Sequence, residues 1–415
     1  MGCPVFNPFD PGYLADPYPL FAQLRDEAPV RYEPDLDHWV VSRYEEVRAV
    51  LADPATYSAR NAVSPVVRFT EEQVKALRES GFARHILVNL DPPEHARARR
   101  VTGRAFIPRR MTALGPVIRN LAERHVDRFP PGGPADVISG LAYELPAEVL
   151  FVLLGIPEGD VPRVKAWGED RMKLIWGRPA PEEQGRLVGA TIEFWRYCQD
   201  LVEDRQAEPG DDLPSELLAD SQGAEPLSPF EVATVIFGLL FAGHETTTNL
   251  LGNAVHRLLG SPGLWEQLVA DPGLMAAAVE EVLRLDTSVP VWRRVTTRPV
   301  ELGGESLPAG ARLLIALGSA NRDGDVFERP DEVDLHRVNA REHLSFGFGI
   351  HFCLGATLAR MEVRTALEVL ADRLPGLRLS EGQELDFRPN LSFRGPTSLL
   401  VEWDAARATQ PLCAS

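Results

Sequence analysis

The sequence predicts a mainly α-helical protein with small β-sheets, formed as a single domain over residues 1–415. Apolar residues recur at helical spacing through most of the chain, whereas alternating strand patterns are short and few. The 33 glycines and 35 prolines are scattered, and neither a linker nor a repeat of fixed period divides the chain. With 44% hydrophobic residues, a chain of this length can bury one sizeable core.

Composition limits the compartment and the partners. A net charge of −17 argues against nucleic acid as a partner. The longest mostly apolar run, Val232 to Ala242, is far short of the roughly 20 residues that a membrane span needs, and the first thirty residues lack the apolar segment of a signal peptide. We therefore expect a cytoplasmic monomer without a membrane span. The cysteines have no pairing pattern, which favours a reducing compartment; they are Cys3, Cys198, Cys353 and Cys413.

The first elements are predicted from periodicity alone. A helix is expected over Tyr18 to Glu27, a strand over His38 to Ser42 and a helix over Tyr44 to Leu51. Between Tyr57 and Asp91 the pattern weakens, and only a short helix near Glu71 to Ser80 is expected there. Long irregular segments of this kind are often functional or mobile.

The helix that follows Asp91 has two different faces. At 100° per residue one face carries His95, Arg99, Thr102 and Phe106. The opposite face carries Arg97, Arg100 and Arg104, within a group of six arginines between residues 97 and 110. A solvated basic stripe is the commoner interpretation of such a face. In so acidic a protein, a docking patch for an acidic partner is the alternative.

The middle of the chain continues as helices. We expect helical structure from Ile118 to Leu154, a pair of helices over Val161 to Trp176 and Glu182 to Glu203, and a surface loop from Glu208 to Glu225. Four aromatic residues in the pair are predicted to belong to the core rather than to a substrate pocket, because aromatic residues at helical spacing are usually buried; they are Trp167, Trp176, Phe194 and Trp195.

A long apolar helix begins with a capping box at Ser228 and Glu231. Its interior, Phe241 to Thr248, contains a glycine, an acid and three threonines, although glycine costs about 1 kcal/mol relative to alanine in a helix. The hydroxyl of Thr246 is placed to bond back to the carbonyl of Ala242 and to loosen the helix. A solvent-facing Glu245 is the structural alternative, but it leaves the rest of the cluster unexplained.

Later elements complete a small sheet. A helix is expected over Asp271 to Leu285, with Glu281 and Arg284 spaced as an ordinary helical ion pair. Strands are expected over Val300 to Leu302 and Leu313 to Leu317.

Cys353 lies in a glycine-rich segment just before a helix that is predicted to begin at Leu354 and to end at Pro375-Gly376. A helix N-terminus favours the thiolate, which is a nucleophile or a metal ligand. The glycines leave room for a large flat group. A nucleophile activated by His351 and an inert buried cysteine remain as alternatives, whereas a structural zinc site would need more cysteines nearby.

This segment resembles the haem-binding loop of the cytochrome P450 family, in the pattern Phe346-Gly347-x-Gly349-x-His351-x-Cys353-x-Gly355. The resemblance extends from about Pro17 to Trp403. It implies the cytochrome P450 fold, in which haem b lies between the long central helix and the helix after Cys353, with the Cys353 thiolate as the iron ligand. Such a ligand donates electron density and favours O–O cleavage.

The resemblance also assigns other residues. His95, Arg99 and Arg294 match positions that bind the haem carboxylates. Glu245 and Thr246 match the oxygen-activation motif and would deliver protons. A buried structural ion network is implied for Glu281, Arg284 and Arg337. The remaining cofactor-binding positions are Ala242, Gly243, Phe346, Gly347, His351 and Gly355.

The implied function is that of a monooxygenase. It would insert one atom of dioxygen into a small apolar or aromatic substrate by hydroxylation, epoxidation or O-dealkylation, with electrons from NAD(P)H through a ferredoxin and its reductase. A peroxide-driven peroxygenase and a non-catalytic haem-binding partner are the alternatives, and Glu245 and Thr246 speak against both. Candidate substrate contacts are Leu239, Ala242, Val289, Val291, Trp292 and Phe393.

Overall fold

The computed structural model describes residues 6–82, 86–219, 227–374 and 376–404, without the side chains of Arg104 and Ala105. Helices dominate this part of the chain. They are α1 (Pro11–Ala15), α2 (Tyr18–Glu27), α3 (Tyr44–Ala52), α4 (Glu71–Glu79), α5 (Glu94–Ala105), α6 (Pro108–Val126), α7 (Leu145–Leu154), α8 (Val161–Trp176), α9 (Pro181–Ala207), α10 (Leu213–Ala219), α11 (Pro229–Ala242), α12 (Glu245–Gly260), α13 (Leu264–Ala270), α14 (Met275–Leu285), α15 (Leu317–Ala320) and α16 (Ala356–Arg373).

The strands form three small sheets, in the orders β1-β2-β8-β5-β3, β4-β10-β9 and β6-β7. They are β1 (Val30–Glu33), β2 (His38–Val41), β3 (Tyr57–Ser58), β4 (Ala135–Asp136), β5 (Trp292–Thr296), β6 (Val300–Leu302), β7 (Glu305–Leu307), β8 (Arg312–Ile315), β9 (Arg378–Leu379) and β10 (Leu400–Glu402). Strand β5 pairs antiparallel with β8, so its successive side chains point to opposite faces. Trp292 and Arg294 share one face, and Arg293 lies on the other.

Most predicted helices are confirmed, and two agree to the residue. α2 and α8 have the predicted bounds, and the capping box of α11 is present: Ser228 Oγ accepts from the amide of Glu231, whose carboxylate accepts from the amide of Ser228. The prediction of continuous helix through residues 118–154 is wrong, because β4 and a π-helical turn separate α6 from α7.

Several other predicted boundaries need correction. α14 begins at Met275 rather than Asp271, and β8 covers Arg312–Ile315 rather than Leu313 to Leu317, because α15 begins at Leu317. The predicted loop between residues 208 and 225 contains α10, and its last part, residues 220–226, lies outside the described residues. α16 begins at Ala356 rather than Leu354 and ends at Arg373; the predicted stop signal at Pro375 also lies outside the described residues.

Two large apolar clusters flank the centre of the molecule. One joins α8, α9 and α11, and it contains all four aromatic residues predicted to be core. The other joins α6, α12, α14 and α16. In the described part of the chain, no helix is both long enough and apolar enough to cross a bilayer.

A buried ion network ties α14 to the loop before Cys353. Glu281 has no exposed surface, and its two carboxylate oxygens accept from Arg284 at 2.7 and 3.0 Å. Arg337 Nε lies 3.1 Å from the same carboxylate, and the amide of Asp334 donates to it at 2.9 Å. The structure thus brings Glu281, Arg284 and Arg337 together as the resemblance implied, and they hold residues 328–337 against α14.

Removing Glu281 is expected to destabilise the protein strongly. Glu281→Ala leaves two arginines without their buried partner, which costs about 3–5 kcal/mol in the free energy of unfolding. Glu79, 3.7 Å from Lys75 in an exposed helical ion pair, provides the control, and Glu79→Ala should cost less than about 0.5 kcal/mol. Urea unfolding followed by circular dichroism measures both. Equal losses in the two variants would contradict a structural role for the network.

Candidate active site

A large cavity separates the two apolar clusters. It encloses about 1750 Å³ of non-atom space, counting its opening to solvent. α11 and α12 form one wall, the loop before α16 forms another, and α5 and β5 also contribute lining residues. Cys353 and Thr246 both line this cavity, on different walls.

The loop over residues 346–355 is shaped by two glycines with positive φ. Gly347 and Gly349 have φ of 72° and 70°. At Gly349 a Cβ atom would also lie 2.7 Å from the carbonyl oxygen of Leu51, so this position excludes a side chain. The amide of Cys353 donates to the carbonyl of Phe346 at 2.8 Å and closes the loop. Cys353 has accessible surface and lines the cavity, so its thiol is presented to that space.

The electrostatics at Cys353 differ from the sequence-based expectation. Burial raises the pKa of the Cys353 thiol, although the Gly355 amide, Arg99 and Arg360 act in the opposite direction. The prediction that the helix N-terminus makes the thiolate the favoured form is therefore wrong for the protein by itself. The physical reason is that α16 starts three residues later, so desolvation is the larger effect. A bound metal cation supplies the positive charge that a thiolate needs.

Unsatisfied donors collect at one side of the cavity. The rings of His95 and His351 lie 4.2 Å apart, and the buried Nε2 atom of each has no hydrogen-bond partner. Arg294 is almost fully buried, and it donates to the carbonyl of Arg293 at 2.8 Å. Arg99 also lines this side and donates to the carbonyl of Phe352 at 2.6 Å.

The two arginines disfavour protonation of the two histidines, since Arg99 and Arg294 both lower the pKa of His95 and of His351. Burial, Arg294, His95 and Arg99 together lower the pKa of His351 to about 3. Burial likewise lowers the pKa of Arg294 to about 10. An anionic group placed among them removes this penalty. A haem fits the arrangement, because it brings a metal for Cys353 and two carboxylates for the donors, and Phe346, Gly347 and Gly355 also line the cavity.

The central helix is broken rather than merely loosened. α11 ends at Ala242 and α12 begins at Glu245. Thr246 Oγ1 donates to the carbonyl of Ala242 at 2.8 Å, as the sequence predicts, and the ring of His244 bonds the carbonyl of Tyr143 at 2.9 Å. A Cβ atom on Gly243 would lie 3.2 Å from both Leu150 and the Leu239 carbonyl, so little else fits. The break leaves Thr246 facing the cavity.

Glu245 points away from the cavity, towards a polar cluster. It hydrogen-bonds with Asn249, and burial raises the pKa of its carboxyl, which nearby Arg388 lowers and Glu169 raises further. Glu169 also hydrogen-bonds with Tyr143 and lies 3.9 Å from Arg388. Glu169 and Arg388 are partly exposed, so the cluster connects Glu245 to solvent. Sequence reasoning missed Glu169, Tyr143 and Arg388, which are distant in the chain and carry no local motif.

Five of the six predicted substrate residues line the cavity: Leu239, Ala242, Val289, Trp292 and Phe393. The prediction that Val291 contacts the substrate is wrong, because Val291 has no exposed surface and packs in the apolar cluster of α8, α9 and α11. The physical reason is that neighbouring side chains point to opposite sides of extended backbone, so Trp292 faces the cavity and Val291 does not.

The basic face of α5 is partly neutralised. Arg97 forms an ion pair with Glu231 of α11, whereas Arg110, which belongs to α6, forms one with Glu216 of α10. The interpretation of a fully solvated basic stripe is therefore wrong at Arg97, because α11 supplies an acidic partner. Arg100 is exposed, and the side chain of Arg104 lies outside the described residues.

One cavity is thus lined by a cysteine, by residues around a helix break and by a cradle of buried guanidinium and imidazole groups, and a haem with a cysteine ligand fits this set of residues. Comparison with known proteins agrees. The family model "Cytochrome P450" matches residues 178–374. Vitamin D(3) 25-hydroxylase of Pseudonocardia autotrophica is 37% identical over 404 residues, which cover 95% of this chain and 95% of that protein. Cytochrome P450 monooxygenase PikC of Streptomyces venezuelae is 36% identical and covers 95% of this chain and 93% of its own length.

A solved structure gives the same result. Cytochrome P450 CREJ in complex with (4-ethylphenyl) dihydrogen phosphate has a TM-score of 0.92 and 38% identity, and the match covers 96% of this chain and 99% of that one. The chain therefore belongs to the cytochrome P450 family. It is a P450 monooxygenase with a haem cofactor and the predicted mainly helical fold.

The cradle is expected to retain the cofactor. Arg294→Gln removes a buried charge, and a hydrogen bond to a charged group contributes about 1.5–3 kcal/mol, so haem loss should accelerate roughly 10- to 100-fold. Haem transfer to apomyoglobin measures this rate. Arg298→Gln is the control, because Arg298 is exposed at the same end of β5 and bonds Thr56 rather than lining the cavity. Unchanged haem loss in Arg294→Gln would remove Arg294 from the cradle.

Proposed function

We propose that residues 1–415 form one haem-thiolate domain that hydroxylates a small apolar or aromatic substrate with one atom of dioxygen. The observation that carries this proposal is the presence of Cys353 and Thr246 on different walls of one cavity. The relative named as a 25-hydroxylase supports hydroxylation, and the aryl ligand of CREJ supports an aromatic substrate. The aromatic side chains Phe241, Trp292 and Phe393 on the cavity wall agree with such a substrate.

One set of cavity residues would bind the haem, and another excludes water from the substrate. Cys353 holds the iron, and His95, Arg99, Arg294 and His351 hold the haem carboxylates. When bound, haem with a thiolate ligand supplies the electron density that favours cleavage of the O–O bond. The apolar side chains of α11 exclude water from the substrate side of the cavity.

Proton delivery is assigned to Glu245 and Thr246, which follow the break between α11 and α12. The hydroxyl of Thr246 lines the cavity and donates to the Ala242 carbonyl, so its oxygen is held in place and its proton is released to the cavity when the hydroxyl turns away from that carbonyl. Glu245 stands next to it on the solvent side, where Glu169 and Arg388 are partly exposed. Because burial raises the pKa of Glu245, its carboxyl keeps a proton at higher pH than an ordinary glutamate. Glu245 thus takes protons from the exposed cluster and passes them to Thr246.

Thr246→Ala is expected to divert electrons to hydrogen peroxide while leaving haem and substrate binding intact. Product formed per NAD(P)H consumed should fall at least about tenfold, since general acid catalysis contributes a factor of roughly 100 or more. The matched control is Thr112→Ala on α6, which removes the same type of bond to a carbonyl four residues earlier, outside the cavity.

Glu245, the acid of the proposed relay, allows the relay to be tested by varying pH. Coupling in the wild-type enzyme should be highest at low pH and fall as Glu245 loses its proton, and Glu245→Gln should abolish this dependence and slow turnover. Full coupling at every pH in both Thr246→Ala and Glu245→Gln would exclude the relay. Peroxide-driven turnover as fast as the NAD(P)H-driven reaction in the wild type would favour the peroxygenase alternative.

Electrons are proposed to come from NAD(P)H through a ferredoxin reductase and an acidic ferredoxin that docks over the cysteine loop. Phe348, Ile350 and Phe352 are exposed on this loop. The guanidinium of Arg48 lies 4.9 Å above the ring of Phe348, and Arg100 is exposed on α5. An apolar centre with a cationic rim suits a small acidic partner.

Charge reversal on this rim should slow electron transfer. Arg48→Glu and Arg100→Glu are expected to lower ferredoxin-supported reduction and to weaken its dependence on salt, since charges are screened beyond about 8 Å at physiological ionic strength. Peroxide-driven turnover should stay unchanged. Arg196→Glu, on the exposed face of α9, is the control. If stopped-flow reduction rates of the rim variants match those of the control at every salt concentration, the docking proposal fails.

A further inference from the structure

Glu280 and Glu281 are neighbours on α14 that bind different parts of the chain. Glu281 belongs to the ion network described above, whereas Glu280 binds the segment before Cys353 and the helix after it. Only 5% of the surface of Glu280 is exposed. Its carboxylate accepts from Arg360 of α16 at 2.7 and 3.0 Å, and Nε2 of His343 lies 3.1 Å from it. Neither the haem cradle nor the proposed proton relay uses this group of Glu280, His343 and Arg360, which we call the Glu280 cluster.

The Glu280 cluster contains one buried negative charge and one half-buried positive charge. Burial alone would raise the pKa of Glu280, but its bonds to His343 and Arg360 lower it to about 2. The amide of Ser345 donates to Nδ1 of His343 at 3.2 Å, so the ring proton is on Nε2 and is donated to Glu280. Burial lowers the pKa of His343, so the ring is neutral. Arg341, 3.8 Å from Glu280, is exposed and contributes little.

The guanidinium of Arg360 also covers Phe346, the first residue of the loop over residues 346–355. It lies 4.5 Å from the centre of the Phe346 ring, which is the distance of a cation–π interaction. The carbonyl of Phe346 accepts from the amide of Cys353 at 2.8 Å. Phe346 therefore connects Arg360 to the iron ligand by two contacts, one through its ring and one through its backbone.

Arg360 is close enough to Cys353 for its charge to act on the sulfur. Burial raises the pKa of the Cys353 thiol and Arg360 opposes this rise, whereas Glu280 is not among the groups that shift it. The two charges of the Glu280 cluster therefore do not cancel at the sulfur. Arg99 also acts on the thiol, but a haem carboxylate would neutralise its charge. Among the described side chains that act on this sulfur, Arg360 is the cation that keeps its effect when haem is bound.

We propose that Arg360 is a positioning residue that raises the reduction potential of the haem iron, acting through Phe346 and the Cys353 thiolate. Reduction adds one electron to the iron site, and a fixed positive charge nearby stabilises the reduced form. The same charge draws electron density towards the sulfur, so the thiolate donates less to the iron. Glu280 keeps the guanidinium in this position. This inference rests on the proposed function, because it requires Cys353 to be the iron ligand.

Arg360→Gln tests the effect of the charge in the haem-loaded protein. Spectroelectrochemical titration, with dithionite as the reductant and no ferredoxin present, measures the potential of the one-electron couple. Arg360→Gln should lower the ratio of reduced to oxidised iron at a given potential roughly tenfold, which is about 59 mV for one electron. Arg360→Lys keeps the charge and loses the forked contact with Glu280, and it should shift the potential less than about half as far.

Arg364→Gln is the matched control, because Arg364 lies one turn further along α16. Its side chain is 55% exposed and pairs with Glu368 of the same helix at 2.7 Å. This variant removes the same charge from the same helix and should keep the wild-type potential, since solvent screens that charge. Should Arg360→Gln fold poorly, a double variant of Glu280→Gln and Arg360→Gln leaves neither partner charged and should still show the lowered potential.

Three results would overturn the inference: an unchanged potential in Arg360→Gln, an equal fall in Arg364→Gln, or a fall in Arg360→Lys as large as that in Arg360→Gln. An unchanged potential together with slower reduction by ferredoxin would make Arg360 a docking residue instead. Failure of the proposed function is separate, because the carbon monoxide spectrum of the wild type would then lack the red-shifted band before any variant is made.

Discussion

Buried guanidinium and imidazole groups with little anionic compensation are the constraint on which the site depends. Arg99 and Arg294 come from different elements, and His95 and His351 leave buried ring nitrogens without partners. Such an arrangement is unfavourable in the protein alone, and it becomes favourable around a dianionic cofactor. α5, β5 and the loop before α16 are positioned by the two apolar clusters and by the ion network of Glu281, so the fold fixes the cradle in advance.

The wall formed by α11 and α12 obeys a different constraint. Its backbone is interrupted between Ala242 and Glu245, where Gly243 and His244 lie outside both helices. The break at Gly243 and His244 redirects the Ala242 carbonyl to Thr246 and turns Glu245 towards Asn249 and the exposed cluster. The wall stays mostly apolar, and the relay that we propose would take its protons from the exposed cluster rather than from the substrate side.

The sequence predicted best what is local. Helical periodicity located α2 and α8 to the residue, and the glycine and cysteine spacing located the haem loop, because both signals lie within one short segment. Contacts between distant segments could not be predicted from the sequence. No residue near Arg97 indicates its partner Glu231, and no residue near Glu245 indicates Glu169 or Arg388. The rise in the pKa of the Cys353 thiol in the protein by itself was not predicted, because its desolvation depends on how the whole cavity closes.

The central claim is that the Cys353 thiolate holds the haem iron. The absorption spectrum of the reduced, carbon monoxide-bound protein tests it most directly. The wild type should show the strongly red-shifted band of a thiolate ligand, which Cys198→Ser should keep because Cys198 is buried away from the cavity. Cys353→His should move the band to the position seen in globins. A red-shifted band in Cys353→His would contradict the account.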